Sequence, residues 1–199
     1  DAPPISNMII TSDMLRKKYG GLLDDQAKKY LDYIKQSSFT LSEYISGLLT
    51  HYETDNTAAK VMETFDSQEL IEEIIELLNI NIDCEINLPE KNIEMQANKS
   101  ALEQIILNLV SNSIKYNDKD KILIDIDCYE KDETYHFSIS DNGMGISQNE
   151  LPKIFELFRT IGVLDRKGNK GNGIGLSTVK RLVTKLNGEI QVSSTLGVG

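Results

Sequence analysis

The hydrophobic period changes abruptly part-way along this chain, and that change divides it into two parts that cannot share one architecture. From about Asp24, the residues Ala27, Leu31, Ile34, Leu41, Ile45 and Leu48 recur at alternating three, four and seven spacings, the seam of a coiled-coil or bundle helix. Ahead of it, Ile5, Met8, Ile9 and Leu15 fit one face of a shorter helix that ends at Gly20-Gly21, where glycine supplies the stop. Two helices joined by a short glycine turn predict an antiparallel hairpin. Such a hairpin cannot bury its stripe alone. Either two copies pair into a dimeric four-helix bundle, which makes the protein a homodimer, or the stripe packs on the domain that follows. The stretch His51-Tyr-Glu-Thr-Asp-Asn-Thr57 is polar and aperiodic and reads as a hinge between a helical part, residues 1–53, and a second domain, residues 58–199.

Beyond the hinge, helical and strand patterns alternate. Residues 60–65, 82–88, 93–96 and 189–193 predict strands, and residues 121–129 and 135–140 predict a hairpin joined by residues 130–133. Asp66 with Glu69 has the spacing of a capping box before a helix at 70–79. Asn98 is placed to cap a helix at 99–116 whose Leu102, Ile105, Ile106, Leu109, Val110 and Ile114 face inward. A short amphipathic helix is expected around Phe155 and Phe158, whose aromatic rings would anchor a loop, and a longer helix at 175–186 stopped by Asn187-Gly188. The expected class is α+β overall: the hairpin, then an α/β sandwich of one mixed sheet covered on one face by helices.

With 21 basic against 31 acidic residues the net charge is -10, which argues against binding nucleic acid or anionic lipid through charge alone. Cys84 and Cys128 lack metal-site spacing and read as packed thiols of a reducing compartment. No apolar run reaches the roughly 18 residues of a membrane helix. A cytoplasmic location is expected, with membrane attachment only through regions upstream. The opening Asp-Ala-Pro-Pro and the closing Thr195-Leu-Gly-Val-Gly199 suggest a piece of a longer protein.

Four stretches carry chemistry. Asn108 and Asn112, one turn apart among apolar residues and followed by Lys115 and Tyr116, need hydrogen-bond or metal partners if they are buried; two solvated amides on a helix rim would have the same spacing. Asp141-Asn-Gly143-Met-Gly145-Ile146 ends a strand with a carboxylate that can accept an amine proton and with glycines that permit close backbone approach, though a plain tight turn has the same composition. Gly171-Asn-Gly173-Ile174-Gly175-Leu176 directly precedes a helix, where backbone amides and the helix dipole hold phosphate. It matches neither a P-loop nor a dinucleotide fingerprint. Between the glycine stretches, Lys153, Arg159, Arg166, Lys167 and Lys170 outnumber Glu150, Glu156 and Asp165 in a segment of lid length. Polyphosphate is a natural counterpart for such a basic loop in an acidic chain, and a solvated loop without ligand is the alternative.

In this order the stretches resemble the ATP-binding boxes of the sensor histidine kinases of two-component systems, within the GHKL superfamily of Bergerat-fold ATPases. The resemblance runs from about Lys60 to the end. It implies an ATP-dependent protein histidine kinase with ATP and Mg²⁺ as cofactors, Asn112 as metal ligand, and Asn108, Asn112 and Lys115 as catalytic residues. It further implies that Asp141 binds the adenine amine, that Lys115, Tyr116 and Lys170 contact phosphate or base, and that Ile146, Ile174 and Leu176 wall the pocket. Gly143, Gly145, Phe158, Gly171, Gly173 and Gly175 would complete the nucleotide site.

The hairpin is similar to the family's dimerisation and histidine phosphotransfer domain, with Ala2-Pro3-Pro4-Ile5 like the tail of an H-box whose histidine would lie just before Asp1. The family's G-T-x-F strand would follow Gly199. The implied partners are a second copy and a response regulator receiver domain, with no nucleic acid. The rivals are an ATPase on the same fold, disfavoured because Asn108 stands where those relatives carry a glutamate base, and a non-catalytic nucleotide-binding scaffold.

Overall fold

A computed structural model describes residues 4–35, 37–38, 41, 62–166, 168–171 and 173–199. The chain divides into two compact units, Asp1–His51 and Tyr52–Gly199. In the first, α1 (Pro4–Tyr19) is closed by the Leu22 and Leu23 amides, which donate to the Tyr19 carbonyl at 2.8 and 3.2 Å. The Asp24 carboxylate accepts from the Ala27 amide at 2.7 Å and so caps α2, which is helical at residues 25–35, 37–38 and 41. Ion pairs join Arg16 to Asp32 and Lys35 to Asp13, the latter at 2.7 Å, so the two helices run antiparallel. Exposed pairs of this kind set register more than they stabilise, at roughly 0–1 kcal/mol each. The expected seam positions Ile45 and Leu48 and the hinge at 51–57 lie outside the described residues.

The second unit is a mixed α/β fold. Strands β2 (Cys84–Asn87) and β4 (Ile122–Lys131) pair in parallel, and β5 (Thr134–Asp141) pairs antiparallel to β4. Separately, β1 (Glu63–Asp66) pairs antiparallel with β3 (Glu94–Ala97). The strands thus form two sheets where one was expected. Between them, the Gln96 amide of β3 donates to the Tyr135 hydroxyl of β5 at 3.1 Å, a side-chain tie rather than a backbone ladder.

Helices α3 (Ser67–Leu78) and α4 (Lys99–Lys115) cover one face of the three-stranded sheet. Along β4, Ile122, Ile124, Ile126 and Cys128 point into that layer while Leu123, Asp125, Asp127 and Tyr129 face out. Leu70, Ile71 and Ile74 of α3 and Ile106 and Val110 of α4 meet them in the core. A smaller cluster packs Val179 and Leu182 of α5 (Gly175–Lys185) on Ala101 and Ile105 of α4. The period of α4 and its cap are as expected, since the Asn98 side chain accepts from the Ala101 amide at 2.8 Å. Burial raises the Cys128 thiol to about 12, with the neighbouring Asp127 adding to the rise, so the thiol is inert at neutral pH.

Several local expectations are corrected. Asp66 makes no side-chain cap on α3; Asn92 does, its Oδ1 accepting from the Gln68 amide at 3.1 Å, because the β1–β3 pairing brings the strand lead-in against the helix start. The helix accordingly begins at Ser67 rather than residue 70. The hairpin turn is tighter than expected, with Asp132 and Glu133 both at positive φ, 50° and 57°, as a two-residue type I′ turn requires. Phe155 and Phe158 are not on a helix: a 3-10 turn at Leu151–Lys153 gives way to irregular backbone, and Phe158 lies at φ 62° with its amide donating to the Gly173 carbonyl at 2.9 Å. Phe158 is also 50% exposed rather than an anchored core ring.

Residues 189–193 form no strand. The segment leaves α5 through Asn187 at φ 57°, and beyond it Ser194 is tied elsewhere, its hydroxyl accepting from the Ile146 amide at 2.7 Å and its carbonyl from Gln148 Nε2 at 2.7 Å. These bonds hold the segment to the loop after β5 instead of to the β5 edge. Among the described residues, no helix is long and apolar enough to cross a membrane.

Ile106, 1% exposed between α3, α4 and β4, tests this core. Ile106→Ala is expected to lower unfolding stability by about 2–5 kcal/mol, read as a shifted urea midpoint with unchanged slope.

Candidate nucleotide site

The site is built where α4 ends, where β5 ends and where α5 begins. The carboxylate of Asp141, the last residue of β5, accepts from the Ser113 hydroxyl of α4 at 2.8 Å and from the Gly143 amide at 2.9 Å. The turn after the strand sits on the end of α4, with the Met144 amide donating to the Tyr116 carbonyl at 3.3 Å. A Cβ on Gly143 would stand 2.9 Å from that same carbonyl oxygen, so glycine is what lets the turn approach. Asn142, beside the carboxylate, accepts from Asn117 Nδ2 at 2.8 Å and from the Leu123 amide at 3.0 Å, and donates to the Lys121 carbonyl at 3.1 Å. Asn117 is fully buried. This asparagine pair locks the turn to the start of β4.

Asn108 and Asn112 lie on the face of α4 turned to α5. A Cβ on Gly175, the first residue of α5, would be 3.1 Å from Asn108 Oδ1 and 3.7 Å from Asn112 Nδ2. Asn108 donates to the Gln104 carbonyl at 2.8 Å, which turns its Oδ1 toward Gly175. Asn112 borders the cavity one turn further on. These amides are partly buried and face the start of α5, where backbone N–H groups lack helical partners.

The glycine loop before α5 is pinned from two sides. Gly173, at φ 68°, lies against the Phe158–Arg159 backbone, where a Cβ would come within 2.5 Å of the Phe158 carbonyl carbon. Gly171 lies against the Tyr116 phenol, whose oxygen would be 2.1 Å from a Cβ there. Burial, and secondarily Asp165, raises the Tyr116 hydroxyl above its ordinary range, so the phenol stays protonated. Ile174 is buried at 3% exposure, with its carbonyl accepting from the Thr178 amide at 2.9 Å and from the Ser177 hydroxyl at 2.8 Å.

These elements surround an open cavity of about 2000 Å³ bordered by Asn112, Tyr116, Asp141, Gly145, Ile146, Gly173, Gly175 and Leu176. Ordinary small-molecule pockets measure roughly 300–1,000 Å³. The excess arises because the cavity runs on between β5 and the unladdered residues 189–193. Of the remaining sequence-selected residues, Asn108, Gly143 and Gly171 support the walls from behind. Lys115 and Lys170 are exposed and, like Ile174 and Phe158, do not border the cavity.

The sequence reading missed Ser113, Asn117 and Asn142. All three carry ordinary polar side chains, Ser113 and Asn142 within stretches already singled out and Asn117 just past one, and only tertiary contact reveals what they hold. It also missed the Glu150–Arg159 pair, at 2.6 Å, which holds the Glu150 carboxyl below its usual range.

Residues 97–199, which contain all of this machinery, match the family of histidine kinase-, DNA gyrase B- and HSP90-like ATPases. The chain belongs to this family. Among its relatives is the histidine protein kinase DivJ of Caulobacter vibrioides, 27% identical over 98% of this chain and 34% of the relative. Among solved structures, a mycobacterial sensor histidine kinase, MprB, superposes with a TM-score of 0.54 at 26% identity, covering 64% of this chain and 81% of that structure. Full-length ShkA in complex with AMPPNP shares the fold across 98% of this chain and 41% of that one, with a TM-score of 0.67 at 21% identity. The unit is therefore an ATP-binding domain of the histidine-kinase type. The chain spans 10% to 34% of the length of the first curated relatives that it matches.

Gly173 is the point where the glycine loop of this ATPase-family domain meets the Phe158 segment. Gly173→Ala combines a positive φ with a backbone clash and is expected to cost about 1–3 kcal/mol, measured by urea unfolding.

Proposed function

We propose that this chain is the catalytic region of a sensor histidine kinase, which binds Mg-ATP and transfers the γ-phosphoryl to a histidine for relay to an aspartate of a response regulator receiver domain. The observation that carries this reading is the convergence on one cavity of the Asp141 carboxylate, the Asn112 carboxamide and the amide-rich glycine loop at the start of α5. In this reading residues 58–199 form the ATP-binding domain. Asp141 accepts the exocyclic amine of adenine, Ile146 and Leu176 flank the base with Ile174 backing the loop, and Tyr116 closes the base-to-phosphate corner. Lys115, Lys170 and the amides of Gly171, Gly173 and Gly175 face the phosphates, while Gly143 and Gly145 shape the turn and the Phe158 backbone amide, not its ring, holds the Gly173 carbonyl.

The oxygen donors fit a hard cation. The Asn112 carboxamide makes no hydrogen bond among the described residues and borders the cavity, and Asn108 presents Oδ1 beside it. Asn112 would hold Mg²⁺, with Asn108 completing the polar wall. When bound, the ion supplies charge neutralisation at the phosphates. Transfer then breaks the bond from the γ-phosphorus to the bridging oxygen, forms one to an imidazole nitrogen, and releases ADP and the imidazole proton. Little covalent work falls to the protein, so positioning by Lys115 and the backbone amides carries the catalysis. Asn108, an amide, cannot activate water as a base, which favours transfer to histidine over ATP hydrolysis.

Residues 1–53 are proposed to dimerise. Met14, Leu22, Tyr30 and Tyr33 on the described helices are 65%, 86%, 55% and 55% exposed, more apolar surface than a solitary hairpin leaves in water. Neither histidine of the chain is the proposed acceptor. His136 stacks on Tyr129 at 4.8 Å on the outer face of the sheet, opposite α4, and His51 lies outside the described residues. The proposed setting is the cytoplasm, with any membrane attachment outside this chain.

Asp141→Asn replaces the proposed amine acceptor by an amide. A fluorescent ATP analogue is expected to bind the folded variant at least about tenfold more weakly, the loss of a charged hydrogen bond. Full-length kinase incubated with γ-labelled ATP should form acid-labile phosphohistidine that the Asp141→Asn form lacks. Nucleotide binding without phosphohistidine would favour a non-catalytic scaffold.

A further inference from the structure

Leu164, Asp165, Gly168, Asn169 and Lys170 close a tight turn on one another. Leu164 and Lys170 bridge antiparallel, the Asp165 amide donates to the Asn169 carbonyl at 2.8 Å, and the Gly168 amide donates to the Asp165 carbonyl at 2.9 Å. The Asp165 carboxylate turns back to accept from the Asn169 amide at 2.7 Å. These bonds are all made within the chain itself.

The turn is also attached. The Arg166 amide donates to the Lys115 carbonyl at 2.7 Å, and Nη1 of its guanidinium donates to the Asn117 carbonyl at 3.1 Å and to the Lys119 carbonyl at 2.8 Å. All three acceptors lie at or just past the C-terminus of α4, where carbonyls lack helical partners and the dipole favours a cation. A few residues on, Gly171 rests on the Tyr116 phenol, so the segment meets the end of α4 twice. The same helix end carries Asn112 and Lys115.

We propose that Arg166 is a positioning residue for the nucleotide phosphates. By clasping the end of α4 it holds the arm of the turn that leads into the glycine loop. Lys170 and the amides of Gly171 and Gly173 therefore stand opposite Asn112 before nucleotide arrives. The guanidinium is engaged by carbonyl oxygens and is not itself a phosphate ligand. This rests on the nucleotide-binding reading and assigns the residue that orders its phosphate side. Preordering removes the cost of fixing the loop at the moment of binding, and the gain falls on ligands with phosphates and not on the base. Lysine can offer an ammonium to the same carbonyls but lacks the planar fork, so it restores part of the function.

The test compares wild type, R166A and R166K in this chain. Each is titrated with Mg-ATP and with adenosine, and hydrogen exchange is followed at residues 164–171 without nucleotide. Expected are about tenfold weaker ATP binding in R166A, the size of one net charge-assisted hydrogen bond, unchanged adenosine binding, faster exchange in the turn, and partial recovery of both in R166K. Unchanged ATP affinity in folded R166A, equal losses for ATP and adenosine, or unaltered exchange would each overturn the assignment. Failure of the wild type to bind either ligand would instead remove the nucleotide reading, and this inference with it.

Discussion

The carboxylate of Asp141 joins the end of β5 and the turn after it to α4, 28 residues earlier in the chain. Through Oδ2 it takes the Ser113 hydroxyl of α4, and through Oδ1 the Gly143 amide of the turn that follows its own strand. A half-buried carboxylate with two donors is well satisfied, and neither donor is a cation that would neutralise it. It therefore fixes where α4 lies against the end of β5. Asn142 adds the second tie, through Asn117 to the chain leaving α4 and through Leu123 and Lys121 to β4. Loosening this corner would shift Asn112 and Tyr116 relative to the turn, since both ride on α4.

Where the physics is local, the elements were legible in the residues. The helix α4 follows from its 3.6-residue apolar period and from Asn98, whose side chain bonds three residues on. The alternation of β4 is read directly from Ile122, Ile124, Ile126 and Cys128, and α5 from the glycines that precede it. Asn112, Asp141 and several of the selected glycines border one cavity, because each lies near the end of a legible element.

What escaped depends on partners far away in sequence. Asn92 caps α3 from 24 residues downstream, and the Tyr135 hydroxyl reaches Gln96 from 39 residues away; no window of adjacent residues contains either bond. Residues 189–193 have strand-like alternation, yet a strand needs a ladder, and Ser194 is held to the loop of Ile146 and Gln148 instead. Phe158 at φ 62° goes against every local preference of an aromatic residue. Its position makes sense only with Gly173, whose carbonyl takes its amide and whose missing Cβ admits its backbone.

The basic residues of the lid illustrate how charge counts mislead about roles. By composition Arg159, Arg166 and Lys170 are equivalent attractions for polyphosphate. In the structure Arg159 pairs with Glu150, Arg166 binds carbonyls at the end of α4, and Lys170 closes the bridge to Leu164 with its side chain exposed. An arginine fork suits fixed carbonyl or carboxylate acceptors, whereas a flexible lysine suits a ligand that comes and goes. The division of labour within one loop thus follows from side-chain geometry: the two guanidinium groups bind fixed acceptors within the loop and at the end of α4, while the Lys153 and Lys170 side chains are exposed.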